Sequence, residues 1–414
     1  MHTAAGGDTV TTSVFELELP ELDTAGMERA DALEATAEAR RQHWLARSPI
    51  GFTITGHDDA VAILRDRRFH SALSLIPQMA GVEAGEYLAS RRPSILSMEG
   101  EGHARLRRLV APAFTPASAD RLRPFMRTVV EDLVGAVAPS GRCDLVVDVC
   151  EPYPIPIICE LLGAPKEDWR RFSAWATDIF RIFNQNLESD MPAIARASEE
   201  LADYVRAMIE DRRAHSTKDL LSALIAAEEA GDRLDTDEVA MLAEAVLMAG
   251  TDTTRNQLGC SVAVFAGHPD QWALLRARPE LAPRAVEESM RYLGAVRGTA
   301  RVASTDIDYR GVRFPEGTLV SVVLAAGNRD PGVFEAADVF DITREGSAPQ
   351  LTFGSGIHHC LGAALARAEL AEALTVLARR MPDLALDGPV TWKPPTFGIW
   401  GPARLPLRFT PTAA

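Results

Sequence analysis

The stretch "FGSGIHHCLG", residues 353 to 362, brings one thiol, two imidazoles and three glycines together in ten positions. A cysteine thiolate is both a nucleophile and a metal ligand, so three readings of Cys360 compete. As an ordinary free cysteine it would be buried and inert, which leaves the glycines before it without a purpose. As a zinc ligand beside His358 and His359 it lacks company. Adjacent residues cannot easily point at one tetrahedral ion, and no CxxC or HxxxH completes the set. As the single axial ligand of a haem iron, it uses most of the stretch. Gly354 and Gly356 then form a tight loop against a flat macrocycle, and Gly362 keeps the first helical turn thin. Phe353 would pack near the ring, and His358 would donate to a propionate.

These residues need a frame. After Cys360, Leu370, Leu374, Leu377 and Met381 mark the apolar stripe of a helix that Pro382 closes. Cys360 therefore stands at a helix N-terminus, where the dipole and free N–H groups are expected to lower a thiol's pKa. A second long helix starts at Asp235, with Glu238 three residues on as a capping box. Its apolar positions Val239, Leu242, Val246 and Ala249 recur at helical spacing, and nothing stops it before "GHP" at 267–269. About 30 residues span roughly 45 Å, enough to cross a domain. Its centre, "AGTDTTRN" (249–256), is rich in poor helix formers between apolar flanks. A local opening or kink is expected there, with Asp252 and Thr253 as buried polar groups that need a purpose. Strands are expected at 51–55, 306–314 and 318–326, and most of the remainder reads as helix.

The fold class expected is mainly α with small β-sheets. No repeat, linker or composition shift divides the chain, so residues 14–414 form one catalytic domain behind a disordered tail, 1–13. A 47% hydrophobic content is enough for a large core. A net charge of −15 disfavours nucleic acid and anionic membrane as partners. Of the 43 basic residues only Lys166, Lys218 and Lys393 are lysines, a bias that reflects coding preference before function. Five widely spaced cysteines do not make a disulfide framework, so a reducing cytoplasm is the expected location. No run of apolar residues reaches the length of a membrane span, and the first residues lack the marks of a signal peptide.

"FGSGIHHCLGAALAR" resembles the haem-binding signature of the cytochrome P-450 family, Phe-Gly-x-Gly-x-His-x-Cys-x-Gly followed by Leu-Ala-Arg. Further landmarks follow in the family's order. "AGTDTT" resembles the oxygen-activation motif of the central helix, and "EESMR" the Glu-x-x-Arg pair, here Glu288 and Arg291. "GHARLRRLV" resembles the segment in which His103 and Arg107 would reach haem propionates, and "TARVAS" the segment in which Arg301 does. "AAGNRDPGVF" is similar to the loop leading into the family's meander. Two departures stand out. Ala336 and Ala337 occupy a stretch where the family often has proline, and Val339 stands where an arginine often completes the Glu-x-x-Arg triad; Arg344 is the nearest substitute.

The resemblance implies a haem b monooxygenase in which Cys360 ligates the iron, Ala249 borders the ring, Thr253 holds the distal water and Asp252 relays protons. O2 would be the co-substrate, and one of its atoms would enter an apolar small molecule such as a steroid, terpenoid, fatty acyl chain or polyketide. Aromatic residues of 172–183, the turn Val246 to Ala249, Val296 to Thr299, 396–400 and 74–97 are the expected pocket. Without a nucleotide-binding GxGxxG or an appended redox module, electrons from reduced nicotinamide must come indirectly, through a ferredoxin and its reductase. Arg105, Arg108 and Arg367 are the expected docking cations on a monomeric enzyme. A peroxide-driven peroxygenase and a haem-thiolate sensor without turnover are the alternatives; a sensor needs no Asp252–Thr253 relay.

Overall fold

Helical spacing of apolar residues dominates the chain, and the computed structural model describes residues 11–24, 26–75, 94–183, 187–229, 234–346, 348–394 and 398–413. The helices, in chain order, begin with α1 (Arg29–Gln42), α2 (His57–Arg65), α3 (Gly100–Val110) and α4 (Pro116–Val137). The middle of the chain supplies α5 (Pro154–Leu162), α6 (Trp169–Ile179), α7 (Leu187–Ala214), α8 (Leu220–Glu229) and α9 (Thr236–Ala266). Then come α10 (Pro269–Ala277), α11 (Ala282–Tyr292), the short α12 (Leu324–Gly327) and α13 (Ala363–Arg380). The large apolar core lies where α4, α9, α11 and α13 meet, with Met126, Val130, Phe265, Val286 and Leu374 fully or nearly fully buried.

A smaller core packs on a five-stranded sheet of β2 (Leu45–Ser48), β3 (Gly51–Ile54), β4 (Phe69–Ser71), β6 (Thr299–Ala303) and β9 (Leu319–Val322), ordered β2-β3-β9-β6-β4. The register pairs Arg301 with Val320 on one side and Ser71 on the other, which fixes where its side chain starts. Outside this sheet, β1 (Thr12–Ser13) pairs with β8 (Val312–Phe314) of the β7 (Ile307–Tyr309) hairpin, and β5 (Arg142–Asp144) joins the C-terminal strands.

Several expectations change. Thr12 and Ser13 are strand, not tail, because their backbone has a free edge at β8; residues 1–10 lie outside the described residues. The expected strand at 318–326 ends at Val322, and Leu324–Gly327 turn helical. The capping box at Asp235 and Glu238 forms as expected. The expected local opening does not form: α9 runs as helix over all 31 residues. Its polar centre is absorbed by hydroxyls that donate to carbonyls one turn back, Thr251 to Leu247 (2.7 Å) and Thr253 to Ala249 (2.8 Å).

Candidate functional site

The loop before α13 is built for close approach. Gly354 and Gly356 have φ of 68° and 72°, left-handed values that favour glycine. A Cβ on Gly356 would also lie 2.1 Å from the carbonyl oxygen of Leu64 on α2. A Cβ on Gly362, by contrast, would meet no protein atom within 4 Å, so protein packing alone does not account for that glycine. The Cys360 N–H donates to the Phe353 carbonyl (2.8 Å), which closes the loop and presents the side chain. Cys360 is exposed, whereas Cys150, Cys159 and Cys260 are buried and Cys143 is half-buried.

The thiol's electrostatics correct the sequence expectation. Surrounding protein pushes the Cys360 thiol above its ordinary value, although the Gly362 N–H and the Arg107 and Arg367 charges pull it down. Solvent reaches one side of the residue while protein atoms crowd the rest, so the helix N-terminus does not prevail alone. A metal ion would shift the balance outright, because a coordinating thiol loses its proton. In the other cysteines burial outweighs any nearby cation and drives Cys143, Cys159 and Cys260 up to about 12.

Around the loop stands a set of anion-seeking groups. His358 Nε2 lies 2.9 Å from the Glu99 carboxylate, and the His103 ring sits 4.7 Å from that of His358. Burial depresses the pKa of both imidazoles. Arg301 is buried and pushed down to about 10 by that burial, with Glu99 acting in the opposite direction. It donates to Thr299 Oγ1 (3.1 Å) and to the Ala300 carbonyl (2.9 Å). Arg107 donates to the His359 carbonyl beside Cys360. Phe353 is buried under the Arg367 guanidinium, 4.4 Å from ring centre to cation. Of these groups only His358 bonds to the Glu99 carboxylate, which also accepts from the Ser71 N–H (2.7 Å); His103 and Arg301 feel its charge. Glu99 was not evident from the sequence; it precedes α3 by one residue and reaches His358 only through the fold.

On α9, Ala249 is exposed and Thr253 half-buried, one turn apart on one face, while Thr251, Asp252, Thr254 and Arg255 are buried. A helix wrapped by neighbours shows exposed residues at its middle only where it borders open interior space. Asp252 Oδ1 accepts from Arg255 Nε (2.6 Å) and lies 3.8 Å from Lys393 Nζ. Arg255 also reaches the hydroxyls of Ser173 (3.3 Å) and Thr177 (3.0 Å) on α6. Arg255 could have been read from its i+3 spacing to Asp252; Lys393, at the far end of the chain, could not.

Glu288 and Arg291 are buried rather than solvent-exposed, as their spacing alone would suggest. Arg291 donates from Nε and Nη2 to both Glu288 oxygens (2.7 and 2.8 Å) and also to the carbonyls of Asn328, Ala337 and Val339. Arg344 takes the place of the absent arginine, with Nε 3.2 Å from Glu288 Oε2 and further bonds to the carbonyls of Glu335, Ala336 and Val339. Ala336 adopts a left-handed φ of 46° to make this turn without the proline.

Of the expected pocket aromatics, Phe172 and Trp175 belong to the core, edge to face with each other and with Tyr204. Phe183 lies against Gly398, where a Cβ would come within 2.7 Å of its ring. Trp400 is buried and stacked on Trp392 at 4.4 Å. Residues 76–93 and 396–397 of the expected pocket, Phe397 among them, lie outside the described residues. Among the described residues no group of three or more His, Cys, Asp or Glu side chains could hold a metal ion. No helix among them is long and apolar enough to cross a membrane.

The family profile for cytochrome P450 matches residues 168–381. Luteothin monooxygenase of Streptomyces thioluteus is 38% identical over 377 residues, 90% of this chain and 92% of the relative. The cytochrome P450 monooxygenase PikC of Streptomyces venezuelae is 39% identical over 374 residues, 88% of this chain and 87% of the relative. The solved structure of CalO2 superposes with a TM-score of 0.86 at 30% identity, covering 95% of this chain and all of that one. That of P450BioI in complex with a fatty-acylated acyl carrier protein superposes with a TM-score of 0.85 at 31% identity, covering 92% and 99%.

Proposed function

This chain belongs to the cytochrome P450 family and is a haem-thiolate monooxygenase, and we propose that Cys360 is the axial ligand of a haem b in this particular fold. The observation that carries the assignment is the exposed thiol held by a glycine loop at a helix N-terminus, while the other cysteines are withdrawn. When bound, the haem supplies the redox chemistry that activates O2. His103, His358, Arg107 and Arg301 hold its propionates, and Ala249 leaves room for the ring face. Phe353 and Gly354 shape the thiolate side. The Thr253 hydroxyl gives its proton to the Ala249 carbonyl (2.8 Å), so its lone pairs are free to accept from a distal water. Asp252 delivers protons to that water through Oδ2, which bonds to none of the described residues.

Electrons come from a ferredoxin and its reductase, fed by reduced nicotinamide. Arg105 is engaged by Glu238 and Arg367 by Glu287, which leaves the exposed Arg108 as the docking cation among the three expected. A shallow pocket of about 490 Å³ beside the thiol loop, lined by Arg65, Arg67, Gly356 and His359, extends this basic face. In Arg108→Glu, a first electron transfer that is unchanged at low salt would rule the docking face out.

The substrate is an apolar small molecule of secondary metabolism. Ligand-induced spectral shifts across steroids, terpenoids, fatty acids and macrolides identify its class. The bound substrate is then turned over under isotopically labelled O2 with a ferredoxin system, and separately with peroxide. Label in the product with the ferredoxin system is the expected result. Product with peroxide alone would make the protein a peroxygenase, and no product from either would make it a binding or sensor protein.

A further inference from the structure

Arg297 lies in the stretch between α11 and β6, and its backbone is tied on both sides: its N–H donates to the Gly398 carbonyl (3.3 Å), and its carbonyl accepts from Ala325 (3.0 Å). Its side chain turns under α1. There it meets the face of Trp400 at 5.2 Å and lines a pocket with Arg29, Arg291, Arg329, Tyr292 and Gly294. Four arginines among the residues lining one pocket require an account of their charges. Arg291 is matched by Glu288 (2.7 Å), and Arg329 by Asp338 (2.8 Å). Arg29 and Arg297 have no hydrogen-bond or ion-pair partner among the described residues. Burial and the neighbouring Arg29 charge both push the Arg297 pKa down.

A guanidinium has five donors and no acceptor, so two unmatched ones facing a pocket present an array that only an electron-rich partner satisfies. Water can accept from them but cannot offset their charge. The pocket offers about 10 Å³ of accessible volume, room for one water-sized occupant and not for a phosphate or an organic acid.

We propose that this pocket binds a single monatomic anion, of the size and charge of chloride, between Arg29 and Arg297. The ion joins the N-terminal helix α1 to the 295–299 stretch through charge-assisted hydrogen bonds. It is separate from the thiol loop and from Asp252, and does not depend on their roles.

Bromide is the probe. Crystals of the haem-loaded full chain grown in sodium bromide should show an anomalous peak between the two guanidinium groups, and that peak should vanish in Arg297→Gln. In solution, replacing gluconate by chloride at constant ionic strength should raise the melting temperature of the parent protein, because a ligand that binds only the folded state stabilises it by mass action. Arg297→Gln should lose this response. Arg29→Gln, a change on a partly exposed helix end, gives the same test should the first variant not fold. Water alone in the pocket, or a chloride response equal in parent and variants, overturns the proposal.

Discussion

Two carboxylate–arginine pairs of the same i,i+3 spacing lie in this chain, and they are built to opposite ends. In both, the side chains are almost fully buried: 3% and 2% exposed for Glu288 and Arg291, 5% and 7% for Asp252 and Arg255. Glu288 has every oxygen engaged. Oε1 accepts from Arg291 and the Asp341 N–H (2.9 Å), and Oε2 from Arg291 and Arg344. Asp252 concentrates its contacts on Oδ1 and leaves Oδ2 without a bond to the described residues. A fully satisfied network locks structure, whereas a half-satisfied carboxylate beside Thr253 is positioned to accept and pass on a proton. Burial and pairing alone therefore do not mark a residue as structural; the count of engaged oxygens does.

The largest effect is expected from breaking the locked pair. Arg291→Met leaves buried Glu288 with only the longer Arg344 contact (3.2 Å) as its cation, at a cost of about 3–5 kcal/mol, enough to prevent accumulation of soluble, haem-loaded protein. Normal haem content and an unchanged melting temperature would show that the Glu288 network is not the lock described.

Asp252→Asn should have the reverse profile. Arg255 keeps its bonds to Ser173 and Thr177, and the amide oxygen can still accept from it, so folding and haem content should persist. Turnover should fall roughly 100-fold or more, with an enlarged solvent deuterium isotope effect, as expected when a proton relay is lost. A folded variant with parental turnover would place Asp252 with Glu288 as structure.

Thr253→Ala sharpens the same contrast with a smaller change. Thr253 is half-buried and among the described residues bonds only back to Ala249, so stability should move by less than about 1 kcal/mol. Product formed per reduced cofactor should fall, with the difference released as hydrogen peroxide. An unchanged ratio would reduce Thr253 to a tolerated helix residue.

What was legible in the sequence follows from range. The Cys360 loop and the capping box at Asp235 are set by residues within a few positions of one another, and both are found where the sequence predicts them, whereas the single strand expected at 306–314 folds back as the β7–β8 hairpin. Arg344 was visible only as the nearest arginine, and its bond to Glu288 crosses 56 positions. Glu99 on His358 and Lys393 near Asp252 join segments far apart in the chain, which no local pattern announces. The local opening expected in α9 failed for the opposite reason. Local propensity was read correctly, but hydroxyl bonds one turn back and packing on both sides outweigh it. The thiol expectation failed likewise, because helix position is visible in sequence and crowding by protein is not.

The central claim is that Cys360 ligates the haem iron as thiolate. Its most direct measurement is the absorption spectrum of the reduced carbon monoxide complex of Cys360→Ala beside that of the parent protein. The parent should show the strongly red-shifted Soret band of a thiolate-ligated haem, and the variant, if it retains haem, should show an unshifted band; a red-shifted band that survives in Cys360→Ala would contradict the assignment.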